Sequence, residues 1–441
     1  MSTIHKGLTI TVTLEEDKIP AVNALLNQYK KDLSTEWEEY HLQLPSTFFI
    51  SWLTLPAQMY ANKEKLPARI VLMTSYTGKK NRHLRELAEF LGKKLTEIFN
   101  FSQEFPEDLN SIQDLFRFLK QKSIPNTYYS GFKFIGTDDV EKEKWLKKEV
   151  LDHFSALSKE GDLSGLTENA IKEKIENYIL ENAHLNWANQ PVKNKRRNKL
   201  AMLFPLLLFG SVMLTSLVSL ILCLFMDVLF LKIMAFVFPA FLLGMIILFL
   251  LLRINENNPH IPNEAISDEK VRQFVAMEKN PVLNEMTVIA PLKKGWIRRA
   301  FLAVTLRLVA LVGYFAYIPT VHTARWLQMD KGKRLVFIAN FDNLSEAYAH
   351  DFVDSERRAM NMAVIFSHAF GFPATRWLVH KNYNHRSEYM KGVRAHQKIT
   401  QFWYSFNHDL SVENLKKNRE FREGLFRSMK TEEIRDWLLK I

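Results

Sequence analysis

Apolar residues are concentrated in one block near the middle of the chain. It consists of two runs, about Leu200–Met226 and Ile233–Leu252, and the only charged residues between its ends are Asp227 and Lys232. A helix needs roughly 20 apolar residues to cross about 30 Å of hydrocarbon, where backbone groups must be hydrogen-bonded within helices. The pattern predicts a transmembrane helical hairpin over 200–253. A buried hairpin of a soluble core is the alternative, which the length of the two runs disfavours.

The residues before the hairpin form short strand-like runs and amphipathic helical segments. Period-2 alternation or β-branched and aromatic residues mark strands at Leu8–Leu14, Ser46–Thr54, Ala68–Tyr76 and Asn126–Phe134. Apolar residues at helical spacing mark Lys18–Leu33, Asn81–Phe99 and Asp138–Phe154. The order β-α-β-β-α-β is the ferredoxin-like arrangement. The sequence therefore predicts a ferredoxin-like unit over 1–160, followed by a helical spacer with a basic flank over 161–199.

Four segments of the first unit recur in the same order after the hairpin. The matched pairs are Leu44–Leu53 with Ile318–Leu327, Ala68–Thr77 with Lys333–Asp342, Glu97–Pro106 with Ala363–Pro373, and Ile124–Ser130 with Ile399–Ser405. We therefore predict the α+β class, with a linker over 254–284 and a second ferredoxin-like unit over 285–441. Because a hairpin crosses the membrane twice, the two units lie on the same side and can pair as a pseudo-dimer.

A third apolar segment, Ala300–Pro319, leaves two interpretations open: a further span, or a helix that lies on the membrane. It stands between a strand predicted at Met286–Ala290 and the second copy of the Trp-Leu strand, where the first unit has its own helix. The preceding Lys293–Arg299 is basic and contains a tryptophan, a composition typical of headgroup regions. The repeat favours a membrane-docked helix over 300–318, because a single span would separate the two units.

The charge and the cysteine content limit which cellular compartment and which binding partners the sequence predicts. Five of the seven residues of Lys193–Lys199 are basic, and such flanks stay on the cytoplasmic side. We expect an integral protein of the inner or plasma membrane with both termini and both units cytoplasmic. The single cysteine, Cys223, allows no internal disulfide. The net charge of +11 lies largely beside apolar segments, which favours the anionic lipid of the bilayer over nucleic acid, for which we find no motif.

Polar residues are unequally divided between the matched strands. The second unit carries His322, Arg325, Asn340 and Asp342 where the first carries Phe48, Ser51, Ser75 and Thr77. An imidazole can act as a base, an acid or a metal ligand, and an arginine can hold an anionic group. We therefore predict His322, Arg325 and Asp342 as catalytic residues, and Asn340, His396 and Trp403 as ligand-binding residues.

Two observations limit the chemistry that this predicted site can perform. His322 and Arg325 are three residues apart, which places them on opposite faces of a regular strand, so a hydrogen-bonded strand histidine and a surface arginine are the alternative interpretation. The histidines of the last hundred residues show no zinc-binding spacing. No metal site is predicted.

Residues 320–425 resemble a group of bacterial proteins of the dimeric α/β-barrel superfamily, distantly similar to dye-decolourising peroxidases. The motifs that carry the resemblance are HTARW, RLVFIANFD, GFPATRWLV, HQKITQFWYS and LSVENLKKNREFREGL. The resemblance implies a sheet-lined cavity between paired ferredoxin-like units, and the superfamily includes haem enzymes, monooxygenases and non-catalytic members. The Gly-x-x-Asp-Gly motif typical of the dye-decolourising peroxidases is absent.

Two functions follow as alternatives. The first is a membrane-anchored protein that binds an apolar or haem-like ligand between its paired units, with peroxidase-like oxidoreductase activity. The second is a non-catalytic scaffold that binds a membrane surface or a protein partner. The feature that separates them is whether His322, Asp342 or His396 converge in a cavity.

Overall fold

A computed structural model describes most of the chain, and every structural statement below concerns these residues. They are 4–60, 64–109, 111–160, 165–192, 195–255, 267–278, 280, 282–312, 318–345, 365–373 and 386–440. The fold is mixed α+β with antiparallel sheets, which confirms the predicted class.

The strands form two five-stranded sheets and one short hairpin. In chain order they are β1 (His5–Leu14), β2 (Thr47–Leu55), β3 (Gln58–Tyr60), β4 (Glu64–Leu66), β5 (Ala68–Thr77), β6 (Ser123–Ile124), β7 (Thr127–Ser130), β8 (Leu283–Pro291), β9 (Val321–Met329), β10 (Arg334–Asp342), β11 (Gln397–Lys398) and β12 (Phe402–Ser405). The sheet order is β12-β2-β5-β1-β6 in what we call the N-terminal sheet. It is β11-β8-β10-β9-β7 in the C-terminal sheet, and β3 pairs with β4.

The helices cover the sheets or form the apolar hairpin. They are α1 (Ile19–Gln43), α2 (Lys80–Phe90), α3 (Gly92–Phe99), α4 (Ile112–Gln121), α5 (Thr137–Glu160), α6 (Glu168–Glu181), α7 (Lys195–Leu222), α8 (Leu229–Asn255), α9 (Asp268–Met277), α10 (Trp296–Val312), α11 (Arg386–His396), α12 (Val412–Gly424) and α13 (Thr431–Leu438). The segment predicted as one helix over Asn81–Phe99 is divided at Leu91 into α2 and α3. The β3–β4 hairpin and α4 were not predicted.

Each half of the chain contributes its last strand to the sheet of the other half. The chain runs from β6, which pairs with β1, through Pro125 to β7, which pairs with β9. In the same way β11 pairs with β8, and β12 pairs with β2. The strand predicted at Asn126–Phe134 is too long at its C-terminal end, because β7 ends at Ser130 and Phe134 has a positive φ of 65°.

Apolar residues pack the two sheets face to face. Their inner faces meet in a cluster that includes Leu53 and Met73 from the N-terminal sheet and Leu327 and Ile338 from the C-terminal sheet. Helices α1 to α4 cover the outer face of the N-terminal sheet, and α10 covers that of the C-terminal sheet. The layers therefore run helix, sheet, sheet, helix, and any site between the sheets is enclosed by both halves of the chain.

The predicted spacer is part of a packed helical cluster. Ile175 and Ile179 of α6 are buried against α5, α12 and α13, through residues that include Leu146, Phe421 and Trp437. This cluster ties the segment before the hairpin to the C-terminal end of the chain.

The two apolar helices α7 and α8 pack on each other as a hairpin. Their apolar stretches, Leu203–Leu222 and Leu229–Leu251, have 20 and 23 residues, which is long and apolar enough to cross a membrane. Only 11% and 6% of these stretches are buried, unlike helices of a soluble core. Ser216 joins the pair, because its Oγ donates to the carbonyl of Met234 (2.6 Å) and accepts from the N–H of Phe238 (2.8 Å).

Candidate functional site

A β-bulge places His322 between the two sheets. Asn340 of β10 pairs with Thr323, but the next residue, Phe341, pairs with Val321, so His322 is an extra residue in β9. The bulge breaks the strict alternation of side chains. His322 and Arg325 consequently both reach the N-terminal sheet, and the expectation that they lie on opposite faces is wrong.

His322 and Asp342 form a buried pair. The Nε2 of His322 lies 2.6 Å from Oδ1 of Asp342, and the two residues are 2% and 6% exposed. Because a carboxylate only accepts, Nε2 carries the proton and donates it. The Asp342 oxygens also accept from the backbone N–H of Val412, at 3.1 and 3.3 Å, at the start of α12. A helix N-terminus stabilises a negative charge, so α12 holds the carboxylate that orients the imidazole.

The pair adjoins a small aromatic cavity. Its volume is about 10 Å³, which is room for about one water molecule. Both halves of the chain line it: Phe48, Phe49, Phe132 and Val140 from the first, and His322, Phe406, Asn407, Leu410 and Leu415 from the second. The rings of Phe132 and Phe49 meet the imidazole edge-on, with centroids 5.7 and 6.2 Å away. The Nδ1 of His322 makes no hydrogen bond within the described part of the chain, and in the neutral imidazole it would be an acceptor beside this cavity.

A second histidine, which the sequence analysis did not indicate, packs against the aromatic wall of the cavity. The ring of His5 stacks on Phe48 at 4.8 Å and meets Phe132 at 4.9 Å. Its Nε2 donates to the carbonyl of Ile135 (2.7 Å). Burial lowers the pKa of His5 to about 4, so this imidazole is neutral near pH 7 and fixes the position of both rings.

A layer of hydrogen-bonded polar side chains lies next to the cavity. The Oε2 of Glu285 accepts from Ser51 of the opposite sheet (2.5 Å) and from Asn340 (2.9 Å), whose Oδ1 accepts from Thr323 (2.7 Å). Burial raises the pKa of Glu285 to about 7. The predicted ligand-binding residue Asn340 thus connects the two sheets through Glu285, which the sequence did not indicate because a lone glutamate in a strand has no motif.

Arg325 links the two sheets through hydrogen bonds. Its guanidinium donates to the carbonyls of Leu8 (2.7 Å) and Thr74 (2.6 Å) and to the hydroxyl of Ser75 (3.1 Å). Gly7 leaves room for it, since a Cβ there would lie 2.8 Å from Nε of Arg325. Burial lowers the pKa of Arg325 to about 10, and it remains charged near pH 7. These contacts give Arg325 a structural role, and they do not support the predicted catalytic one.

The other two predicted residues lie on different sides of the C-terminal sheet. Trp403 packs against the apolar cluster that lines the cavity and pairs with Ser51 through β12. His396 stacks on Phe372 at 5.8 Å, within the layer that covers the outer face of the sheet. His322 and Asp342 therefore converge, Trp403 is close to them, and His396 is remote.

The described residues do not fit a haem, which the sequence comparison offered as one expected ligand. The cavity volume of about 10 Å³ is far below the roughly 300 Å³ at which sites for drug-sized ligands begin.

A small apolar molecule with one hydroxyl group would enter this cavity by displacing its aromatic walls, because the present volume admits about one water molecule. The aromatic walls would bury its carbon skeleton, and Nδ1 of His322 would accept the hydroxyl proton. An imidazole oriented by a carboxylate is also the arrangement of a general base. No protein-family model, curated protein or solved structure matches this chain.

Proposed function

We propose that this chain is a membrane-anchored protein of the cytoplasmic face that binds a small apolar ligand beside His322, between two paired ferredoxin-like units. The observation that carries the proposal is the cavity whose aromatic walls come from both halves of the chain and whose imidazole is oriented by Asp342. An apolar lining with few, well-placed polar groups is usual for small-molecule sites, and binding would require the aromatic walls to move apart, because the cavity volume is about 10 Å³.

The strand register supports the pairing of two equivalent units. Trp52 pairs with Leu72 and Phe402, while Trp326 pairs with Phe337 and Thr127. These partners are the ones that the sequence repeat matches with each other. The bulge at His322 also has a counterpart in β2, where Ser75 pairs with Phe49 and Tyr76 pairs with Thr47. Phe48 is the extra residue there, so the first unit has an aromatic ring at the position of the imidazole.

The hairpin α7–α8 supports the membrane anchor. Both helices have the length of a span, and few residues of their most apolar stretches, 11% and 6%, are buried in the protein. The turn between them carries the ion pair of Asp227 with Lys232, which suits the return of the chain to a polar phase.

A scaffold without a ligand is the second candidate, and one contact favours it. Asp342 accepts from the first N–H of α12 with both oxygens, so it would be needed for folding even if no ligand were bound. A peroxidase-like activity has no support from the site, because the described residues do not fit haem.

Binding of a small aromatic alcohol tests the first candidate. We expect para-fluorophenol, observed by fluorine NMR with the protein in lipid nanodiscs, to bind the parent and to bind His322→Phe about tenfold more weakly. A tenfold loss corresponds to about 1.4 kcal/mol, which is typical of one hydrogen bond. Phenylalanine is a suitable replacement for His322 because the first unit carries Phe48 at the matched position.

His396→Phe is the matched control, since it removes an imidazole from the outer side of the same sheet. We expect it to bind the probe as the parent does. Equal binding by the parent and His322→Phe would exclude this cavity as the site, and absence of binding by all three proteins would favour the scaffold.

The membrane topology is tested by fusions at the two ends of the chain. The basic cluster Lys193–Lys199 predicts that both ends are cytoplasmic. A phosphatase that is active only outside the cytoplasm should therefore be inactive at either end, while a fluorescent protein should be active at both. Phosphatase activity at the C-terminal end alone would mean that a third segment crosses the membrane.

A further inference from the structure

We infer that the outer face of α10 lies in the headgroup region of the bilayer, so that the C-terminal sheet is the membrane-proximal layer and the N-terminal sheet faces the cytoplasm. The inference rests on the proposed membrane anchor and adds to it the surface that contacts lipid.

The inner face of α10 is occupied by the C-terminal sheet. Leu302 and Leu306, one turn apart, are buried in the core of that sheet. The hydroxyl of Thr127 in β7 also donates to the carbonyl of Leu306 (3.0 Å). The helix therefore has a fixed orientation, and its opposite face must point away from the sheet.

That opposite face carries an apolar stripe. Trp296, Ala300, Val304 and Leu308 follow at intervals of four residues, and the three large side chains among them are 69%, 39% and 49% exposed, respectively. Residues four apart lie on the same side of a helix. A stripe of this kind on a water-facing helix would be unfavourable, and it is typical of a helix that lies in a membrane interface.

Helix α1 provides an internal comparison, because it covers the N-terminal sheet as α10 covers the C-terminal one. Its buried Val22 and Leu26 correspond to the two buried leucines of α10. With these residues matched, Ala24 and Gln28 correspond to Val304 and Leu308, and both are exposed. The outward positions thus carry a single methyl group and a polar amide in one half, and two large apolar side chains in the other. This difference indicates different surroundings for the two helices.

The neighbours of α10 identify a bilayer as the occupant of its outer face. The helix packs against α8 of the apolar hairpin, so its outer surface continues that of a proposed span. Lys294 and Arg307 are exposed beside the stripe and would meet anionic headgroups, while the exposed Trp296 is a residue typical of the interface.

Site-specific quenching tests the inference. Single cysteines at Val304→Cys and Leu308→Cys, in a full-length Cys223→Ser background, would carry an environment-sensitive fluorophore. The matched controls are Ala24→Cys and Gln28→Cys, and the natural Cys223 marks the first span. The labelled proteins would be placed in vesicles of mixed zwitterionic and anionic phospholipid with bromine on the acyl chains near the headgroup.

We expect quenching at the two α10 positions and none at the two α1 positions. If Cys223 is quenched while Val304→Cys and Leu308→Cys behave as the α1 controls do, the inference is wrong and the anchor stands. If Cys223 is not quenched, the anchor itself fails. If the α10 positions are shielded from a water-soluble thiol reagent yet not quenched by the lipid, a second copy or another protein covers the stripe, and the inference is likewise overturned.

Discussion

Replacing Asp342 with alanine is expected to lower the free energy of unfolding by about 3 kcal/mol, the largest loss among the site variants. The carboxylate accepts from His322 and from the first N–H of α12. Without it, two buried donors lose their partner, and each unsatisfied group costs roughly 1–3 kcal/mol. Denaturant unfolding followed by far-ultraviolet circular dichroism, on protein in the same detergent, would measure the loss.

Three further variants separate the structural from the functional role of this pair. Asp342→Asn keeps one side-chain acceptor and should lose less stability than Asp342→Ala. Thr77→Ala changes the matched position of the first unit and should cost less than about 1 kcal/mol, as substitutions away from buried networks do. His322→Ala should lose binding of para-fluorophenol and lose less stability than Asp342→Ala, because Asp342 keeps the N–H of Val412 as a donor. Early unfolding of His322→Ala would favour the scaffold.

The second large effect concerns Glu285 and pH. The contribution of Glu285 to the free energy of unfolding is expected to fall by about 3 kcal/mol as the pH rises from about 4.5 to about 7. Burial raises the pKa of this carboxyl to about 7 in the folded protein, from a model value of 4.5. Between these values the folded protein holds a proton that the unfolded chain has released. Raising the pH therefore favours unfolding throughout this window, and above it the contribution stays constant.

Glu285→Gln isolates this contribution. The amide keeps an acceptor for Ser51 but does not titrate, so the difference in unfolding free energy between variant and parent should change across the window. Buried histidines such as His5 act in the opposite direction, because burial lowers the pKa and acid destabilises them, but they are common to both proteins and cancel. A pH-independent difference between the two would show that Glu285 does not titrate in this range.

The elements that the sequence predicted are those in which one periodicity dominates. The alternation of Leu8–Leu14 corresponds to β1, and the β-branched and aromatic runs correspond to β2 and β5. The two apolar helices were evident because charges are almost absent from them. Each of these patterns lies within one short stretch of sequence, and the strand or helix that it predicts is formed by that same stretch.

The features that the sequence did not reveal depend on partners far along the chain. The bulge at His322 is defined by the register of β9 with β10. A strict period of two therefore placed His322 and Arg325 on opposite faces of the strand. Glu285 and His5 have no motif of their own, and their importance comes from Ser51 and Phe132 across the sheet interface. The pair of His322 with Asp342 was predictable in kind, since His322 stands where the first unit has Phe48 and Asp342 stands where it has the uncharged Thr77.

The exchanged end strands constrain how the chain folds during synthesis. When the first half has left the ribosome, β2 has an open edge, because its neighbour β12 lies far beyond the membrane hairpin, and β7 has no partner until β9 has been made. Unpaired edges are prone to wrong association, and contacts between distant segments form slowly. Insertion of the hairpin α7–α8 into a membrane, as proposed above, would hold the two halves of the chain close together, so that the proposed anchor would also tether them while the sheets form.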